Sequence, residues 1–173
     1  MATENITERS AEQVVRDYFG ALGHHDVAAA AEYMSPDVVE EITGVGVLRG
    51  PGEVREFFGG LMKAVPDLDF VVDRVVADGD FAVVQWRING TFDGGPLFNG
   101  VQATGGQVNF RGCDVIEVRD GLIVRNTAYQ DGMEMARSLG MMPPQDSAAE
   151  RAMIAAFNGM TKVRRAVRDR VGG

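Results

Sequence analysis

Carboxylates on an apolar wall are the first chemistry this sequence offers. Asp120-Gly121 is a two-residue hairpin signal, and it sets a register for the strands on either side. Arg119 then faces Leu122, Val118 faces Ile123, Ile116 faces Arg125, Asp114 faces Thr127 and Phe110 faces Asp131. Because side chains alternate, one face would hold Phe110, Asp114, Ile116, Val118, Ile123, Arg125, Thr127, Tyr129 and Asp131. Four of these are apolar, so this face is expected to lie under helices. Asp114 and Asp131 would then sit on a mostly apolar concave wall, where desolvation raises carboxyl pKa values towards neutrality and suits them to acid–base work. Four residues separate Thr127 from Asp131, roughly 13 Å, so the two acids line opposite ends of a cavity. Each also has an architectural alternative. Asp114 could pair with Arg125, its diagonal neighbour. Asp131 could cap a helix over Gly132 to Leu139.

Other polar groups fall near this wall. Arg87 shares one face of the strand Phe81 to Phe92 with Val83, Gln85 and Asn89; Ala82, Val84, Trp86 and Ile88 share the other. Both faces include apolar residues. Helices can cover one, and a second copy of the chain the other, which predicts a homodimer through the open face of the sheet. Tyr18 lies on the apolar stripe of the first helix.

The remaining chemistry is thin. His24 and His25 are the only histidines and share a turn, and Cys113 is the only cysteine. These do not make the three or four converging ligands of a metal site, nor a nucleophile triad. There is no phosphate-binding lysine loop and no dinucleotide glycine fingerprint. Neither metal nor cofactor is expected. With 25 acidic and 17 basic residues, the net charge of -8 repels phosphate and disfavours nucleic acid. No apolar run approaches the roughly 20 residues that span a bilayer. Met1 to Ser10 is polar and unlike a signal peptide, so a cytoplasmic protein with no membrane partner is expected.

The elements that must position these groups are readable from periodicity. Helices are predicted over Ser10 to Leu22, from an Asp26 cap through Met34, and from Gly50-Pro51-Gly52 to Val65. A break at Ser35-Pro36-Asp37 and a short strand Val38 to Ile42 precede a glycine-rich loop. Strands follow over Leu68 to Ala77, Phe81 to Phe92, Gln107 to Arg119 and Leu122 to Gln130. The pattern is α+β, with helices against one face of an antiparallel sheet. After Pro143-Pro144 comes a last helix with a stripe of Met153, Phe157, Met160 and Val163. From Met160 on it carries five basic side chains against one acid. It is expected to dock on the acidic body. Residues 1–142 read as the folded domain and 143–173 as a helical extension.

Four segments carry a family resemblance: VVRDYFGALGHHDVAAAAEYMSPDVV, GPGEVREFFGGLMKAVPDLDF, GDFAVVQWRINGTFDGG and FRGCDVIEVRDGLIVRNTAYQDGMEMARSLGMMP. Over Val14 to Pro143 the chain resembles the SnoaL-like polyketide cyclases of the nuclear-transport-factor-like superfamily. The resemblance implies a cone-shaped, curved antiparallel sheet wrapped by N-terminal helices (cystatin-like), with a deep apolar pocket and frequent dimers. It implies three activities. In the cyclases an aspartate before the last helix is the acid–base of an aldol closure, and Asp131 matches it; Asn126 and Thr127 replace the usual histidine and tryptophan. Limonene epoxide hydrolases use an Arg-x-Asp strand motif, matched by Arg87 with Asn89 in place of the aspartate. Ketosteroid isomerase pairs a tyrosine with a protonated aspartate, matched by Tyr18 and Asp114. Its base position falls at Ile42, beside Glu40 and Glu41, and a one-residue strand shift would turn Glu41 inward.

The leading expectation is thus a cofactor-independent cyclase or isomerase of a small apolar carbonyl compound. Asp131, Asp114 and Tyr18 would be catalytic. Arg87, Asn89, Tyr129, Trp86, Phe58 and Glu41 would hold the substrate. The alternatives are epoxide opening by Asp131 with Glu40 or Asp67, and a non-catalytic small-molecule-binding dimeric module.

Overall fold

The computed structural model describes residues 9–95, 98 and 100–171. The helix α1 (Ala11–Gly23) begins where Ser10 accepts the Gln13 N–H, and it buries Val14, Val15, Tyr18, Phe19 and Leu22 on one stripe. Asp26 caps α2 (Val27–Ala31) through the Ala29 N–H. That helix stops short of the expected Met34, because the chain is already extended there: β1 runs over Met34–Ile42. Ser35 precedes a proline, a position that disfavours helix.

The glycine-rich stretch expected as loop contains a strand, β2 (Gly46–Arg49), antiparallel to β1. Then come α3 (Gly50–Ala64), with proline in its first turn, β3 (Asp69–Asp78), β4 (Phe81–Phe92), β5 (Gly106–Arg119) and β6 (Leu122–Gln130). The turn between β5 and β6 has Asp120 at φ 50° and Gly121 at φ 73°, the paired left-handed conformation an Asp-Gly hairpin requires. Two helices close the chain, α4 (Gly132–Ser138) and α5 (Ala148–Val171).

The fold is α+β. Its six strands form one curved, unclosed sheet in the order β2-β1-β6-β5-β4-β3. β3 to β6 form the expected antiparallel meander, whereas β1 joins β6 in parallel. Helices α1 and α3 pack on the concave face, and α2 packs against both of them. The core between them joins Val14, Tyr18 and Leu22 of α1 to Val54 and Leu61 of α3 and to Val84, Ile88 and Ile116 of the sheet.

Two corrections bear on the site. A bulge between Glu117 and Val118 shifts the β5–β6 register by one, so that Val118 faces Ile123 but Glu117 faces Arg125. Beyond it Ile116 faces Asn126 and Asp114 faces Ala128, not Arg125 and Thr127. A one-residue slip turns every later side chain over. Asn126 and Ala128 are therefore buried, while Arg125 and Tyr129 lie exposed on the outer face. The second correction concerns α5. It does not dock on the body: Met153, Phe157, Met160 and Val163 are all exposed, and its side-chain tie to the rest of the chain is an Arg137–Glu150 ion pair of 2.6 Å in its first turn. Among the described residues no helix is long and apolar enough to cross a membrane.

Candidate active site

A cavity of about 210 Å³ opens between the helices and the concave face of the sheet. Rings from α1, α3, β3, β4 and β5 line it, among them Phe19, Phe58, Phe70, Trp86 and Phe110. Among the described residues, only Glu40, Asp114 and Gln130 bring polar side chains other than the Trp86 indole to this lining, and no lysine, arginine or histidine does.

Strand register explains why two acids meet here. In β1, Val38, Glu40 and Ile42 alternate onto the inner face, and Glu40 is 1% exposed. Glu40 lies across from Asn126 in the parallel β1–β6 pair. Asn126 is two residues from Ala128, the partner of Asp114 in β5. The three polar side chains are thus neighbours inside an otherwise apolar face. Asp114 accepts from Trp86 Nε1 at 2.7 Å through one carboxylate oxygen and from Asn126 Nδ2 at 2.8 Å through the other.

Burial dominates the electrostatics of all three ionisable groups. Loss of water pushes the Glu40 carboxyl up to about 8; the charge of Asp114 adds to this and the hydrogen bond from Asn126 opposes it. Asp114 is pushed up to about 6 by burial, against the two hydrogen bonds from Asn126 and Trp86. Tyr18 is fully enclosed, and burial, then Glu40, then Asp114, hold its phenol well above the ordinary range. Its hydroxyl, Oε2 of Glu40 and Oδ1 of Asn126 are buried with no hydrogen-bond partner among the described residues. Near pH 7 the pair can therefore hold one proton between them. That gives a carboxylic acid and a carboxylate facing the same apolar space, able to polarise a carbonyl and take a proton from carbon.

The residues singled out from sequence divide sharply. Asp114, Trp86 and Phe58 line the cavity. Tyr18 is buried within electrostatic reach of both acids but does not line the cavity. Asp131 does not reach it. Its carboxylate caps α4 by accepting the Met133 and Glu134 N–H groups at 3.1 and 2.9 Å, and it borders a shallow hollow beside Arg111 and Arg137. Asp114 does not pair with Arg125, because the bulge sends that side chain outward. Arg87, Asn89, Tyr129 and Glu41 project to the other face of the sheet, away from the cavity; Arg87 pairs with Asp73 at 3.1 Å. Asp67 instead holds Thr91 by its backbone N–H and hydroxyl at 2.6 and 2.8 Å.

Glu40 is the residue that sequence reasoning passed over as a principal. The signal was there: Val38 and Ile42 are apolar two residues to either side, so no strand shift is needed to bring an acid inward. Asn126 was visible only as a departure from the cyclase pattern.

Comparison with known proteins agrees with this architecture. The profile of the SnoaL-like domain matches residues 15–126. No curated protein matches the chain to a significant level. Among solved structures the chain is similar to AclR, a candidate hydroxylase from Streptomyces galilaeus. The identity is 22%, the TM-score 0.66, and the match covers 77% of this chain and 97% of that one. It is similar to IdmH, a candidate polyketide cyclase from Streptomyces antibioticus, at 23% identity and TM-score 0.65, over 76% and 99% of the two chains. A nuclear-transport-factor-like protein from Burkholderia thailandensis shows 26% identity and TM-score 0.66 over 78% and 99%. With the profile spanning well over half of its length, the chain belongs to the SnoaL-like domain family.

Proposed function

We propose that the protein is a cyclase or isomerase that acts on a small, apolar, polyketide-like carbonyl compound, using its own carboxyl groups as acid and base. The observation that carries this reading is the pair Glu40 and Asp114, both buried and both lining one aromatic cavity. Family membership and the candidate cyclase among the similar structures support it. The aromatic wall suits a planar, neutral ligand. Among the described residues, a carboxylate or phosphate ligand would meet two acids and no cation there.

The substrate-independent signature of such a site is exchange of a proton alpha to a carbonyl. Small ketones and enones incubated with the protein in deuterium oxide should gain deuterium at the alpha carbon, followed by NMR. Asp114→Asn and Glu40→Gln should each slow this by about 100-fold or more, the usual range for a positioned acid or base. Asp131→Asn is the matched control. Asparagine caps a helix as well as aspartate does, so turnover should persist. Exchange that survives both Asp114→Asn and Glu40→Gln would sink the assignment. Tight ligand binding without exchange would instead mark a non-catalytic binding module.

A further inference from the structure

The pair of acids needs an order: one must hold the proton and the other must not. We infer that Asn126 is a positioning residue that sets this order, holding Asp114 as the carboxylate base and Glu40 as the neutral acid. The inference rests on the acid–base reading above and assigns the roles within it.

Trp86 breaks the symmetry of the pair. An indole N–H can only donate, and it donates to Asp114. Asn126 gives the second oxygen of Asp114 another N–H. With both oxygens engaged by donors, a proton on Asp114 would have to displace one of them, so the ionised form is favoured there. The amide's orientation is then fixed, with its second N–H left for Glu40. Its Nδ2 is committed to Asp114, so its Oδ1 faces away and is buried without a donor. Glu40, its cross-strand neighbour, has Oε2 buried and equally unpartnered. Two acceptor oxygens cannot satisfy each other, and a buried polar atom left unpaired is destabilising. A proton on Glu40 removes the charge from one of these unpartnered oxygens, the form that burial favours. Turned over, the amide would present an oxygen to Asp114 and leave it with a single N–H donor, reversing the order.

The surrounding charges do not compete. Glu40 is influenced by Asp114 and Asn126, Asp114 by Asn126 and Trp86, and Tyr18 by both acids. No cation lines the cavity among the described residues. Burial raises Glu40 further than Asp114, in the same sense.

The chemistry balances. Asp114 takes the alpha proton, and the C–H electron pair becomes the C=C of an enol as the carbonyl oxygen takes the Glu40 proton. In an isomerisation, Asp114 returns its proton to the distal carbon and the enol proton goes back to Glu40. In a closure, the enol carbon attacks a second carbonyl, whose oxygen takes the proton from Asp114, while Glu40 recovers its own.

The test is a ¹³C-carboxyl NMR titration of the ligand-free protein labelled at Asp and Glu. At pH 7 Asp114 should be ionised and Glu40 neutral. Asn126→Leu, close in size but without the amide, should raise the Asp114 midpoint by about one pH unit or more and narrow or invert its gap from Glu40. Asn126→Asp, isosteric and a safeguard against misfolding of the first variant, should also raise Asp114. A wild-type protein with Glu40 ionised and Asp114 neutral at pH 7 overturns the inference, as do folded variants whose two midpoints have not moved. The titration needs no substrate, so failure of the proposed function and failure of this role assignment are separable: turnover with a reversed order removes only the latter.

Discussion

Glu40 and Asp114 set a cost that depends on pH. Both carboxyl groups have native pKa values above those of an unfolded chain, at about 8 and about 6. Between the unfolded and native values the native state binds more protons than the unfolded one, so stability falls as pH rises. The contribution is fully present below about pH 4, where both states are protonated, and is lost as pH climbs through the native values. Most acidic proteins lose stability on the acid side; this site adds a loss on the neutral and alkaline side. Urea unfolding should show wild-type stability declining from about pH 5 to about pH 8. Glu40→Gln removes one titrating group and should gain on wild type as pH rises, with a limiting slope of about 1.4 kcal/mol per pH unit. Parallel curves for the two proteins across that range would show that Glu40 is not held neutral. The acid itself was legible from the alternation of Val38, Glu40 and Ile42. Its proton was not, because that depends on burial by the folded chain and on Asp114, which lies 74 positions away in the numbering.

The hairpin of β5 and β6 decides which side chains reach the cavity. Its turn, its ends and its antiparallel pairing follow from the Asp120-Gly121 signal and the runs on either side. Its bulge does not follow from turn geometry, and one extra residue near Val124 reversed the expected faces of Arg125, Thr127 and Tyr129. The trace it leaves in sequence is slight: Leu122, Ile123 and Val124 are three apolar residues in a row where alternation allows every second one. The same pair of strands makes room for the indole. A Cβ added at Gly112 would lie 2.4 Å from Trp86 Cζ2 and 2.7 Å from the Tyr129 carbonyl oxygen. Gly112 is therefore required by space rather than by backbone conformation. Gly112→Ala should cost about 1–3 kcal/mol, the usual range for overpacking. It should also push the indole off Asp114. Trp86 is the only tryptophan, so a shift of its intrinsic fluorescence reports that displacement directly. An unchanged spectrum with unchanged stability would mean the strand absorbs the methyl by moving.

At the scale of the whole molecule, one sheet face is left uncovered among the described residues. Helices α1 and α3 cover the concave side, and α5, expected to dock on the body, stands away. The outer face carries an apolar row across three strands: Val76 of β3 faces Val83 of β4, which faces Val115 of β5, with Thr127 of β6 beyond it. Tyr129 lies one row further on, across from Cys113. Val76, Val83, Val115 and Tyr129 are between 38% and 59% exposed in a single chain. Scattered apolar residues on a surface need no explanation, but a continuous row across a sheet face does. A charged rim of Arg74, Arg87, Arg111 and Glu117 flanks it. An apolar centre with a polar rim is the anatomy of a protein interface, and a self-paired sheet face satisfies two-fold symmetry without further contacts. The wild-type chain should therefore sediment as a dimer. Val83→Lys with Val115→Lys should sediment as a monomer with an unchanged circular dichroism spectrum, because both positions point away from the core. A wild-type chain that sediments as a monomer would leave the row without a self-interface. A dimer that persists in the double variant would move the contact to another surface, with the exposed stripe of α5 the next to change.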